Sequence, residues 1–95
     1  MRKYEAMFLF SPKVEDDKID KEIKTVEKVI GDVGEGTVRA DYLGKKNLAY
    51  PVAKQNEAHY VCYTFDAKPS AILTIKQELK HSSTILRSVF FLKEN

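Results

Sequence analysis

The chain has 95 residues, 43% hydrophobic and 32% charged, which suits one domain, residues 1–95, of ordinary folded composition and excludes a disordered tail-like chain. Its one cysteine, Cys62, excludes an intrachain disulfide and a cysteine-rich zinc site and fits a reducing, cytoplasmic setting. The net charge is +2, but residues 15–32 hold seven acids and four lysines while the remainder holds 12 bases against seven acids, so an acidic flank faces a basic remainder.

In chain order, residues 3–11 are an almost unbroken, aromatic-rich apolar run that predicts a central strand ended by Ser11-Pro12. Residues 15–32 predict a helix, with Ile19, Ile23, Val26 and Ile30 as its apolar stripe. Glu15, Asp16 and Asp17 are expected in its first turn. Asp17–Lys21 and Asp20–Lys24 are expected as i,i+4 pairs, and Gly34 and Gly36 as its stop. Residues 37–50 predict one long strand bent or bulged near Gly44. A hairpin loop over 54–58 and a third strand over 59–66 follow. Pro69 opens a second helix carrying Ile72, Ile75 and Leu79 to about Lys80 or His81, and residues 84–93 form the last strand. The opening Met1-Arg2-Lys3-Tyr4-Glu5 has no apolar leader, and the longest apolar runs, Ala6–Phe10 and Val89–Leu92, are too short to span a bilayer. No membrane partner is expected.

The order βαββαβ predicts an α+β, ferredoxin-like fold, a four-stranded antiparallel sheet with both helices on one face. The other face then meets water or a partner, and strand parity says which residues lie on it. Tyr4, Phe8, Val61, Tyr63, Phe65, Leu86 and Phe90 are assigned to the helix-covered core. Met7, Leu9, Tyr60, Cys62, Val89 and Phe91 are assigned to the open face beside Lys3 and Arg87, a set apolar enough to predict a docking partner.

Reactive constellations are lacking in the sequence. His59 and Cys62 are three apart on a strand and point to opposite faces, which disfavours a shared metal. Ser82 and Ser83 have no nearby base, and Cys62 reads as a small strand apolar. Gly31-Asp32-Val33-Gly34 has the spacing of a phosphate-clamping loop but joins a helix to a strand and carries an acid. No enzyme activity, cofactor, metal or small-molecule substrate is expected.

One segment combines bases and aromatics: Gly44-Lys45-Lys46-Asn47-Leu48-Ala49-Tyr50-Pro51-Val52-Ala53-Lys54. Lysines attract phosphate irrespective of sequence, and a tyrosine can stack on a base or sugar, although a Lys-Lys pair on a strand by itself is more often a solvated edge that blocks aggregation. Gly44 to Val52, with Leu48-Ala49-Tyr50-Pro51 at its heart, resembles the signature of the bacterial small-subunit ribosomal protein S-six family, with Val52 in place of the usual isoleucine. The opening Met1 to Glu5, Tyr60 to Phe65, the Pro69 helix start and Ile85-Leu86-Arg87 fall in that family's order. The resemblance implies a place in the small ribosomal subunit. It also implies binding to the central domain of small-subunit ribosomal RNA together with ribosomal protein S-eighteen. The sequence ends at Asn95, so no contact by a longer C-terminal tail is carried over. Arg2, Lys3, Lys45, Lys46, Tyr50, Lys54 and Arg87 are the expected RNA or partner contacts, with Lys80 and His81 behind them. Arg2, Lys3 and Arg87 are expected to cluster on neighbouring strands, and the acidic first helix to point away from RNA. A free-standing RRM-like module is the alternative, against which stand the absent glycine–aromatic run in strand three and the absent outward aromatic in strand one.

Overall fold

A computed structural model describes residues 1–93. The elements run β1 (Arg2–Phe10), α1 (Ile19–Gly34), β2 (Val38–Val52), β3 (Gln55–Ala67), α2 (Ala71–Leu79) and β4 (Ile85–Leu92). The strands form one sheet in the order β2-β3-β1-β4, every neighbouring pair antiparallel. This is the expected ferredoxin-like βαββαβ arrangement.

The central position of β1 explains its composition. Pairing on both edges hides its backbone, and Ala6, Phe8 and Phe10 are fully buried beneath the helices. Phe8 is the hub of an aromatic cluster, edge-on to Tyr63 at 5.1 Å and to Phe90 at 5.8 Å between ring centroids, geometries that the ring quadrupole favours. Helix α1 closes over this layer with Ile19, Ile23, Val26 and Ile30, the stripe expected from spacing. Each such side chain stabilises the fold by roughly 1.5–3 kcal/mol on burial. The Tyr63 hydroxyl donates to the Ile23 carbonyl at 2.8 Å and ties β3 to α1. Helix α2 contributes Ala71 and Ile75 to the core, with Ile72 and Leu79 packed at its edge.

The first helix starts later than its acids suggest. Residues 16–18 form a turn, and Lys18 donates its backbone N–H to Glu15 at 2.8 Å. The first apolar residue of the stripe is Ile19, so packing gives the chain no reason to be helical before it. Glu15, Asp16 and Asp17 therefore precede the helix, and its first turn carries Asp20 and Glu22. The i,i+4 ion pair present is Lys28–Asp32 at 3.2 Å, instead of the expected Asp17–Lys21 and Asp20–Lys24. At the other end Gly34 is still helical, and Glu35 takes the left-handed conformation (φ 58°), its N–H donating to the Gly31 carbonyl. Gly36 serves a different need from a stop: a Cβ there would lie 2.1 Å from the Asp66 carbonyl oxygen.

Several irregularities reshape the strands, among them a register shift between Asn47 and Val52 that interrupts the β2–β3 ladder. Register shifts between Tyr42 and Gly44, where Gly44 has φ +100°, so Leu43 is the extra residue of a bulge at the expected bend. The β2–β3 connection is shorter than the expected 54–58 loop. Val52 pairs with Gln55 across Ala53 and Lys54, both at positive φ, the two-residue turn whose twist matches that of the flanking strands. Neither residue is a usual choice for that turn, which is why composition placed the loop elsewhere. In β4, Leu9 pairs with Arg87 but Phe10 with Ile85. Leu86 is thus bulged out and half-buried, and Ile85 takes the place against the core that alternation had assigned to Leu86.

Burial, reinforced by Glu27, pushes the Tyr63 phenol far above its ordinary range. Above about pH 10 an unfolded tyrosine ionises while the folded one stays protonated. The native state then binds more protons, and stability falls with rising pH. Near neutrality Tyr63→Phe should cost about 1 kcal/mol through the lost hydrogen bond. The deficit should vanish by about pH 11, where the wild type has lost about 1.4 kcal/mol to this ionisation. Urea unfolding midpoints of both proteins from pH 7 to 11 measure it. Gly44→Ala meets no neighbour within 4 Å, so its expected loss of about 1–2 kcal/mol is purely backbone strain, read in the same titration.

Candidate functional site

Both helices lie on one side of the sheet, and the antiparallel register arranges the opposite side in rows. Gly44, Tyr60, Leu9 and Arg87 form one row across the four strands; Asp41, Cys62, Met7 and Val89 form the next; Arg39, Thr64, Glu5 and Phe91 the third. The middle row is mostly apolar and half-buried, and Phe91 is 54% exposed. The residues expected on the open face are on it.

The first row carries the cationic and aromatic corner. Lys46 lies opposite Ala58, on the open side, with its ammonium 5.8 Å from the centroid of the Tyr60 ring. The β2–β3 arm brings Tyr50, which is 62% exposed, to Arg87, whose Nη1 donates to the Tyr50 hydroxyl at 3.2 Å. Lys46, Tyr50 and Arg87 of the expected set thus share a surface with Tyr60, whose place on the open face was foreseen but whose part in the site was not. The signal was its position two residues before Cys62 on the same strand, hence on the same face.

The other expected contacts are dispersed. Lys45 pairs with His59 across the ladder, on the helix side, and its ammonium sits 3.6 Å from Asp16. Adjacent residues on a strand point to opposite faces, so the two lysines of the signature cannot act together. Arg2 pairs with Ala67 and Lys3 with Asp66, at the end of β1 remote from Leu9 and its neighbour Arg87. Six residues of strand separate Lys3 from Leu9, about 20 Å, so Arg2, Lys3 and Arg87 do not cluster. Lys54 is exposed in the hairpin turn. Tyr4 stacks on Phe65 at 5.7 Å within the core.

The buried polar groups serve the fold. His59 is fully buried; its Nε2–H donates to the Val14 carbonyl at 2.9 Å, so Nδ1 accepts from the Tyr42 hydroxyl at 2.8 Å. That clamp holds the segment before α1 against β2 and β3, and no sequence motif announces it. Burial pushes the Tyr42 phenol up, and Asp16 adds to the effect. The Cys62 thiol is also pushed up, first by burial and then by Glu5 and Asp41, which leaves little thiolate near neutral pH. Among the described residues no group of three or more His, Cys, Asp or Glu side chains could hold a metal ion.

Comparison with known proteins agrees with this architecture. A solved structure, 30S ribosomal protein S6 from Thermotoga maritima, superposes with a TM-score of 0.90 at 24% identity, covering 97% of this chain and 87% of that one. The small ribosomal subunit protein bS6 of Desulforamulus reducens is 32% identical over 87 residues, 92% of each chain. That of Exiguobacterium is 32% identical over 89 residues, 94% of each. The family model for ribosomal protein S6 matches residues 3–91, and the chain belongs to the ribosomal protein S6 family.

Proposed function

We propose that this chain is a non-catalytic, structural constituent of the small ribosomal subunit, in the bacterial cytoplasm, that binds the central domain of small-subunit ribosomal RNA together with ribosomal protein S-eighteen. The observation that carries the reading is the open sheet face. Its apolar row of Cys62, Met7 and Val89, extended by Leu9 and Phe91, suits a protein partner. Its Lys46–Tyr60 and Tyr50–Arg87 corner suits RNA: the cations neutralise phosphate, and tyrosine rings such as the exposed Tyr50 stack on bases or sugars. Lys54 at the hairpin tip, and Arg2 with Lys3 at the far end of β1, extend the reach of positive charge. Lys45 is assigned a lesser role, because Asp16 already partners it.

The RRM-like alternative needs outward aromatics side by side on the two central strands. Here β1 offers Met7 and Leu9, and the outward aromatics, half-buried Tyr60 and exposed Phe91, stand against Leu9 and Glu5, about 13 Å apart along the strand.

Single replacements Lys46→Ala and Arg87→Ala should each weaken binding to central-domain RNA in the presence of ribosomal protein S-eighteen, and each should flatten the slope of log affinity against log salt by about one. Lys45→Ala should change the slope little; a loss as large as that of Lys46→Ala would refute the division of the two lysines between faces. Val89→Glu should lower affinity for ribosomal protein S-eighteen by at least about tenfold by placing a charge in the apolar row. Sedimentation of the two proteins without RNA checks this.

A further inference from the structure

We propose that the groove between α2 and β4 is a second RNA contact, one that follows the phosphodiester backbone without reading bases; this rests on the ribosomal RNA-binding function proposed above. The groove encloses about 330 Å³, walled by Lys76, Leu79 and Lys80 from the helix and by Leu86, Arg87 and Ser88 from the strand, with no carboxylate in its lining. Among the described residues four cations outside the groove pair with acids, Lys28 with Asp32, Arg39 with Asp41, Lys45 with Asp16 and Lys93 with Glu5. Among the described residues no ion pair involves Lys76, Lys80 or Arg87. Uncompensated charge in a concave surface concentrates the field that attracts an anion.

The cations are held in place by the fold. Lys76 and Lys80 are one turn apart, about 6 Å along the helix axis, a separation on the scale of neighbouring phosphates in a strand. The Lys76 ammonium lies 5.3 Å from the centroid of the Phe90 ring, so its stem packs on the sheet while its charge stays at the groove. Arg87 is steadied by Tyr50 and belongs to both the groove and the open-face corner, which makes the two surfaces continuous. Strand β4 is an edge of the sheet, and the N–H groups on its outer side add donors without sequence preference. Two of the three cations are lysines, which contact phosphate as point charges.

The test compares wild type, K80A, K76A/K80A and K76R/K80R for binding to central-domain RNA with ribosomal protein S-eighteen, across roughly 50–200 mM salt. Binding to ribosomal protein S-eighteen alone and thermal melting are measured in parallel. K76A/K80A should bind RNA roughly tenfold more weakly with a salt slope shallower by about two, and K80A, which keeps the Lys76–Phe90 contact, should be shallower by about one. K76R/K80R should match wild type, and binding to the protein alone should be unchanged. If K80A and K76A/K80A keep wild-type affinity and slope, the groove inference is overturned while the ribosomal role stands. A loss that appears without RNA makes the groove a protein-docking surface and equally overturns it. If wild type itself fails to bind central-domain RNA, the function proposed above fails and the groove assignment falls with it.

Discussion

Two helices can cover only one face of a four-stranded sheet, and everything functional here descends from that geometric shortage. Strand β1 sits in the middle, so its helix side, Tyr4, Ala6, Phe8 and Phe10, is sealed by α1 and α2. Its opposite side, with Met7 and Leu9, is sheltered only by neighbours in the sheet. Burying Leu9 and half-burying Met7 between strands reduces the exposed apolar area but leaves a flat surface without a lid.

Electrostatics divides the molecule along the same line. The acids of residues 15–32 lie in and just before α1, on the helix side, where Asp16 engages Lys45. An exposed pair of this kind adds little to stability. Its consequence is local neutralisation, which lowers the net positive charge Lys45 contributes to its surroundings. The His59 clamp on Val14 and Tyr42 fixes the segment carrying Asp16 against the sheet, so a part-buried hydrogen-bond network helps decide where surface charge is cancelled. Positive charge survives at the open-face corner and along α2 and β4, and Arg87 joins the two regions.

The β2–β3 arm shows how backbone irregularity positions side chains. The bulge at Leu43 and Gly44 changes which residues face outward beyond it, and a second register shift between Asn47 and Val52 breaks the pairing with β3 around Tyr50 before the tight turn at Ala53 and Lys54. Tyr50 is thereby carried to Arg87, some 37 residues away in sequence. Gly44 to Val52, the residues that carry the family resemblance, build this arm.

The amino-acid sequence alone determined the order of elements, the stripe of α1 and the sidedness of β1 and β3, because alternation and helical spacing are local consequences of where a chain meets its core. It also carried the signature around Leu48-Ala49-Tyr50-Pro51. What only the tertiary structure decided were matters of register. Lys45 and Lys46 are neighbours in sequence yet lie on opposite faces, and Arg2, Lys3 and Arg87 sit on adjacent strands yet at opposite ends. A bulge exchanges Ile85 for Leu86 at the core, and α1 waits for Ile19 despite three preceding acids. In each case pairing between distant strands, or packing against a core assembled from the whole chain, fixed a position that local preference left open.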